Sequence, residues 1–419
     1  MANALKYEYS PEEAIDLLYQ RGLMADNQTG FLQTLIDDKL NIEENTFFWQ
    51  EHFMVDGNET PADLKDRKKR PAYSVIQITN ATTPMADPMA PLSETAQLDQ
   101  QGYTEKTGSI YQYGKGMFET SMSKIELQAR LAAMGMNERN IIGGFITDAA
   151  RLIKSHNSRL SYMAAQVLSK GGEYNTTSTR GMSGVTANQN SYIPASNYKK
   201  AGAKVWTDLT GCDIPTQVQK IVEDFKLAND LPEDMVFELD VPYDLLTGVL
   251  LKNSYFIQEV NLYLSTTDAG SKILIVKPDG TTDYNQGIIT MEQLIAYSRW
   301  GQSKIPPIRV VRQKSTTQNI TTQQSVSGWD AGKVVLRPLG YAGLVVHATP
   351  SDIAMYNSGE VNDGIQMNMG KVQNFLYIIN QISPNGKFKS YHTDIIGCYA
   401  PILNESNYHV IIDTTTADS

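Results

Sequence analysis

Residues 142–172 read IGGFITDAARLIKSHNSRLSYMAAQVLSKGG, and this stretch decides the fold. Ile142, Phe145, Ala149, Leu152, Ile153, Leu160, Met163, Ala164, Val167 and Leu168 recur at steps of three and four residues, the spacing of a single apolar stripe on a helix. Gly171-Gly172 supplies a left-handed stop. A helix of about 28 residues rises about 42 Å at 1.5 Å per residue. One stripe on so long a helix makes a strut against which a sheet packs. His156 stands four residues from both Leu152 and Leu160, on the stripe itself. A buried, hydrogen-bonded core histidine is the reading this position favours over a catalytic base.

Downstream, residues Glu173 to Tyr198 are rich in Thr, Ser, Asn and Gly and read as a loop or hairpin. Asp213 caps a second helix that carries Ile214, Val218, Ile221, Val222, Phe225 and Ala228 and breaks at Leu231-Pro232. Met235 to Leu239 reads as a strand, and Asp240 and Pro242 open another helix through Leu245 and Leu246. Lys272 to Lys277 is a strand running into the Asp279-Gly280 turn. Thr290 and Gln293 form a capping box for a helix that ends near Trp300. Late strands are expected at Val334 to Arg337, Leu344 to Ala348 and Tyr408 to Ile412. Helices and strands alternate without a regular βαβ beat, so the class is α+β. No internal repeat or heptad run interrupts it.

Upstream, Ser10, Pro11 and Glu13 open one amphipathic helix through Ala14, Ile15, Leu17 and Leu18, with Gly22 as its stop. One short helix is an arm, not a domain. The span from Glu51 to Met117 holds Asp56-Gly57, Thr60-Pro61, the basic run Lys65-Asp66-Arg67-Lys68-Lys69-Arg70 and the prolines Pro84, Pro88 and Pro91. Only Tyr73 to Ile78 alternates as a strand does. Ordering backbone costs about 1–2 kcal/mol per residue. This span has too few apolar side chains to offset that cost within its own subunit, so contacts from outside the chain have to hold it. That points to an assembly.

The 419 residues suffice for two or three domains with a buried core, and 41% hydrophobic with 20% charged residues is ordinary for a folded protein. A net charge of -10 argues against a nucleic-acid reader, which needs a basic stripe to displace counterions from phosphates. It suits a container whose wall does not grip nucleic acid. Two cysteines, Cys212 and Cys398, cannot staple a fold of this size, so a reducing compartment is expected. No apolar run approaches the ~20 residues of a membrane span. The opening Met1 to Lys6 lacks a signal-peptide layout, so synthesis in the cytoplasm is expected. The Asn-x-Ser/Thr triplets read as chance in a Thr-rich chain.

Catalytic and metal-binding patterns do not emerge. Gly114-Lys115-Gly116 lacks the spacing of a phosphate cradle, no Gly-x-Ser-x-Gly elbow occurs, and neither cysteine has a partner at zinc spacing. His392-Thr393-Asp394 has the residue types of a base and its orienting carboxylate but no nucleophile to serve. Asp224, Glu233 and Asp234 read as solvent-facing charge rather than a metal site. The basic residues Lys65, Arg67, Lys68, Lys69 and Arg70 read as a solvated loop, a phosphate binder or localisation signal or, in an assembled shell, the partner of an acidic patch on a neighbouring subunit. No cofactor or metal is implied.

The order of parts resembles the major capsid proteins of tailed bacteriophages, with the HK-ninety-seven-like fold of the lambda-type family. Residues Arg159 to Gly172 are similar to the end of that family's spine helix. Val205-Trp206-Thr207-Asp208, followed by the helix from Asp213, looks like the approach to the axial domain. Gly332 to Pro338, with Gly340-Tyr341 and Ala348-Thr349-Pro350, looks like the return to the peripheral domain. The likeness runs over residues 120–350, and over both ends by architecture. It implies an N-terminal arm over 1–50, an extended loop over 51–120, a peripheral domain with the spine helix over 121–207, an axial domain over 208–340 and a return to the peripheral domain over 341–419. It also implies hexamers and pentamers of one chain in an icosahedral virion capsid around double-stranded DNA, assembled in the host cytoplasm. Portal and scaffolding proteins are the expected partners, decoration proteins a further option, and no membrane is involved. The competing readings are an encapsulin-like compartment, an α/β hydrolase-type enzyme with a long lid, and a tail or portal component.

Overall fold

In a computed structural model of the chain, the helix expected from residues 142–172 runs from Glu138 to Lys170, 33 residues or about 50 Å. The structure describes residues 47–60, 72–78, 103–120, 138–176, 187–189, 192–266, 275–276, 282–283, 289–318, 323–351, 353–354, 366–373, 375–385, 388–404 and 406–417. The helix expected from Ser10 and the basic run Lys65 to Arg70 lie outside them.

In chain order the elements are helix α1 (Phe48–His52), strands β1 (Phe53–Thr60), β2 (Ala72–Ile78), β3 (Tyr103–Ser109) and β4 (Tyr111–Thr120), and the long helix α2 (Glu138–Lys170). Strands β5 (Tyr174–Thr176), β6 (Ala187–Gln189) and β7 (Tyr198–Lys200), helix α3 (Ile214–Ala228), strand β8 (Phe237–Pro242) and helices α4 (Tyr243–Gly248) and α5 (Ser254–Thr266) follow. Next come β9 (Ile275–Val276), β10 (Thr282–Asp283), α6 (Met291–Ser298), β11 (Ile308–Val311), β12 (Ser315–Gln318) and β13 (Gln323–Val326). The chain closes with β14 (Lys333–Pro338), β15 (Gly343–Ala348), β16 (Gln366–Gln373), β17 (Leu376–Asn385), β18 (Phe388–Leu403) and β19 (Val410–Asp413). The α+β class stands.

Two compact units divide the chain. The first comprises residues 1–73, 108–163 and 344–402, the second 74–107, 164–343 and 403–419. The sheet of the first unit has the strand order β1-β15-β18-β17-β16, and β4 pairs antiparallel with residues 390–399 of β18. β17 and β18 pair antiparallel from Leu376↔Gly397 to Asn385↔Phe388. In the second unit a five-stranded sheet has the order β11-β8-β14-β19-β7. Its outer pairs, β11 with β8 and β19 with β7, are parallel, while β14 runs antiparallel to both neighbours. Its core holds Trp206, Val218, Phe225, Leu239, Phe256, Leu294 and Tyr297.

Local chemistry explains why the elements stop and start where they do. Gly171 and Gly172 take φ of 68° and 100°, and the Gly172 amide donates to the Val167 carbonyl at 2.8 Å, closing α2 with a left-handed cap. Asp213 Oδ1 accepts from the Thr216 amide at 3.1 Å at the start of α3. Thr290 and Gln293 make both bonds of the expected capping box on α6. The loop or hairpin expected after Gly172 is a hairpin, with Tyr174 opposite Gln189.

One expectation changes, and several elements had none. The strand expected at Met235 to Leu239 starts at Phe237 and continues to Pro242, so Asp240 is in a strand and does not open a helix. A carboxylate can sit there because a guanidinium meets it, as described below. The stretch Ser315 to Ser327, Thr- and Gln-rich, forms the β12–β13 hairpin, with Ser315 opposite Val326. Between Glu51 and Met117, where only Tyr73 to Ile78 was expected as a strand, β1, β3 and β4 are strands as well, and helix α5 and strands β16 to β18 also had no counterpart in the periodicity reading.

Candidate functional site

The side chains of the long helix that reach the first unit's sheet are held by more than apolar contact. His156 lies at the centre. Its Nε2 lies 2.9 Å from the Ile395 carbonyl and its Nδ1 3.0 Å from the Tyr399 hydroxyl. A carbonyl only accepts, so Nε2 carries the proton and Nδ1 accepts from the tyrosine. Burial pushes the His156 pKa down to about 4. Tyr399 is fully enclosed, and burial raises its pKa well above the usual tyrosine value. At the next residue, Asn157 Oδ1 accepts from the Trp49 indole at 3.1 Å, which fastens α1 to the helix. The Trp49 and Tyr399 rings both stand edge-on to Phe375. The expected core histidine is therefore what His156 is.

The second unit carries a buried ionic cluster. Arg337 on β14 is 1% exposed and Asp240 on β8 is 0% exposed. Arg337 Nε donates to Asp240 Oδ2 at 2.7 Å, Nη2 to Glu238 Oε2 at 2.8 Å, and Nη1 to the carbonyls of Pro338 and Gly340 at 3.1 and 2.6 Å. Burial works against the guanidinium charge, but the two carboxylates outweigh it and raise the Arg337 pKa. Antiparallel register makes this possible, since Arg337 lies opposite Glu238. Arg309 reaches Glu238 from the far side at 3.6 Å. His409, in the same unit, donates Nε2 to the Leu168 carbonyl at 2.7 Å, and burial lowers its pKa to about 4.

A cleft of about 370 Å³ opens where the parallel strands β8 and β11 end. Tyr243, Asp244, Arg312, Gln313, Lys314 and Trp329 line it. The Arg312 guanidinium lies over the Tyr243 ring, 4.7 Å from its centroid, a cation–π contact that fixes the charge in place. Gln313 is buried and ties the wall together. Its Oε1 accepts from the Gly328 amide at 2.6 Å and its Nε2 donates to Ser315 Oγ at 2.7 Å. The crevice beyond the carboxyl ends of parallel strands is where open sheets expose backbone and side chains to a partner.

The chain is similar to several solved phage proteins. One is a candidate capsid protein of a prophage in E. coli CFT073, at 12% identity, with 92% of this chain and 98% of that one covered and a TM-score of 0.47. A phage-related protein from Bordetella bronchiseptica RB50 gives 12% identity, coverage of 92% and 96%, and a TM-score of 0.42. The capsid of cyanophage A-1(L) gives 12% identity, coverage of 87% and 91%, and a TM-score of 0.41. No family model and no curated protein matches the sequence.

The remaining candidates fall apart as sites. Asp224, Glu233 and Asp234 are all exposed, on the solvent side of α3 and the turn after it. Gly114-Lys115-Gly116 lies within β4 and forms no loop. His392 and Asp394 stand on β18, opposite Gln381 and Ile379. Cys212 and Cys398 are both buried and are not joined in a disulfide. Among the described residues no group of three His, Cys, Asp or Glu side chains could hold a metal ion, and no helix is long and apolar enough to cross a membrane. Sequence reasoning missed Asp240 with Arg337, and Arg312 with Lys314. The alternation Arg312-x-Lys314 after a strand was the available signal for the second pair.

Proposed function

We propose that this chain is the major capsid protein of a tailed bacteriophage, a shell subunit and not an enzyme. The observation that carries the reading is how the chain is shared out. Residues 164–343, the bulk of a unit that also takes 74–107 and 403–419, are inserted between two parts of the other, and a single 33-residue helix supplies residues to both. A strut with an inserted domain, preceded by a proline-punctuated span and an arm, is the order of parts that the capsid resemblance implies. In this reading residues 121–207 and 341–419 form the peripheral domain and residues 208–340 the axial domain. The arm and the loop overlap neighbouring subunits, and the chain forms hexamers and pentamers around double-stranded DNA in the virion, assembled in the host cytoplasm with scaffolding and portal proteins. A net charge of -10 leaves the wall free of DNA.

Lys65, Arg67, Lys68, Lys69 and Arg70 act in this reading as an inter-subunit contact that meets an acidic patch on the neighbour. Electron microscopy of the expressed full-length protein tests the whole. Closed shells, tubes or hexameric rings are expected, and a monodisperse monomer at high concentration sinks the reading. Glutamate at all five basic positions is expected to stop shells while leaving the fold; normal shells from that variant remove the basic run from the contact.

A further inference from the structure

The second unit presents two unlike patches at the two ends of strand β8, and we propose that they are the two halves of a head-to-tail contact between copies of this chain. The inference rests on the shell reading and supplies a specific contact for it. At the N-terminal end of β8 lies the turn after α3. Its acidic groups are Asp230, Glu233 and Asp234, all exposed. Around them Leu227 is 83% exposed and Val236 50%. The Leu339 amide donates to the Val236 carbonyl at 3.1 Å, which brings a further exposed leucine, 59% open, to the same end. At the C-terminal end of β8 lies the cleft, where exposed Arg312 and Lys314 stand with the Tyr243 ring.

Three carboxylates against Lys226, whose Nζ donates to the Glu233 carbonyl at 2.7 Å, leave one end acidic and apolar, and Arg312 with Lys314 against Asp244 leave the other cationic and aromatic. Among the described residues none of Glu233, Asp234, Arg312 and Lys314 makes an ion pair. They cannot satisfy one another within a copy. Six strand residues at about 3.3 Å each hold the two patches about 20 Å apart, and the neighbouring strands fix both ends of β8 in one sheet. The acidic turn of a second copy meets the need of the cleft in both respects, since its carboxylates face Arg312 and Lys314 while Leu227 and Val236 cover Tyr243. Two different patches that complement each other make a heterologous contact, which closes into a ring when the rotation between copies allows. A two-fold dimer would use both acid–cation pairings at once and stop at two copies, which sedimentation separates from a ring.

Charge reversal in the full-length protein tests this, with sedimentation and electron microscopy as readouts. One variant carries Arg312→Glu and Lys314→Glu, a second Glu233→Lys and Asp234→Lys, and a third all four changes. All four side chains are exposed, so the fold is retained. Each single-end reversal is expected to raise the concentration needed for oligomers roughly tenfold or more. The third variant, complementary again, is expected to recover. An equal mixture of the first two is expected to form only rings with an even number of copies, because unlike copies must alternate, so hexamers return and pentamers do not. Wild-type shells with undiminished assembly in both single-end variants overturn the contact and leave the shell reading standing. A wild-type chain that stays monomeric removes both, and no recovery in the third variant overturns the pairing of these two patches.

Discussion

Arg337 Nε donates to Asp240 Oδ2 across 2.7 Å with both side chains closed to solvent, joining β14 to β8 in the middle of the second unit's sheet. A buried pair of this kind contributes little net stability over an apolar pair of the same volume, but removing one partner strands the other's charge. Arg337→Met is therefore expected to cost about 3–5 kcal/mol, read as a lower midpoint in chemical unfolding of this unit. Arg337→Met combined with Asp240→Leu is expected to recover most of the loss, because Glu238 is only partly buried and keeps Arg309 as a neighbour. A double variant as unstable as the single would show that the cluster acts through more than its charge.

Each unit also contains one histidine that burial keeps neutral, His156 in the first and His409 in the second, both with pKa values lowered to about 4. The unfolded chain titrates near 6.5. Folded values lie below unfolded ones, so each neutral histidine contributes stability that is fully present above pH 6.5. It is lost progressively as the pH falls toward 4, while the unfolded state takes up a proton that the folded state refuses. The loss is roughly 3 kcal/mol per histidine across that window. Unfolding midpoints at pH 7, 5.5 and 4 should decline in both units. In His156→Gln the decline of the first unit should flatten, and an unchanged slope there would place the acid sensitivity elsewhere.

What could be read from the sequence follows the range of the interactions. The long helix, the Asp213 cap, the Thr290 capping box and the hairpin after Gly172 are specified by residues within a turn or two of each other, and each was legible. Asp240 was misread because a carboxylate beside a proline looks like a helix opening. The partner that makes a strand possible, Arg337, is 97 residues away in sequence. Strand β16 was passed over because the alternation of Gln366-Met367-Asn368-Met369 breaks at Gly370-Lys371, and pairing with β17 places it. The cleft was invisible for a similar reason, since Tyr243 and Arg312 meet only once the parallel register of β8 and β11 is set.

Gly171 and Gly172 end the long helix by two independent constraints. Both take positive φ, and a Cβ on Gly171 would come within 2.6 Å of the Ile193 side chain, while one on Gly172 would collide with the Tyr192 ring. Left-handed backbone alone costs an ordinary L-residue roughly 1–2 kcal/mol. Gly171→Ala and Gly172→Ala are each expected to exceed that range, with Gly172→Ala the worse because a ring yields less than the end of an isoleucine. Thermal unfolding of both variants checks the order. Equal and small effects would show that the segment carrying Tyr192 and Ile193 moves aside freely.

Gln313 supports the hairpin β12–β13 from beneath, and its amide is the reason a two-stranded element with so few apolar residues holds its register. Isolated two-stranded hairpins are marginal in water. Gln313→Ala leaves the Gly328 amide buried without its 2.6 Å acceptor and frees the Ser315 hydroxyl. The expected cost is about 1–3 kcal/mol, concentrated locally. Hydrogen exchange should accelerate in residues 315–318 and 323–326 while the paired strands β8 and β14 remain protected. Limited proteolysis should cut between β12 and β13 sooner than in the parent protein. Gln313→Glu keeps the acceptor for Gly328 and loses the donor to Ser315, so it should fall between the two, provided the acidic side chain is accommodated beside Arg312 and Lys314. If Gln313→Ala instead loosens β8 and β14 as much as the hairpin, the residue supports the whole sheet rather than the hairpin alone.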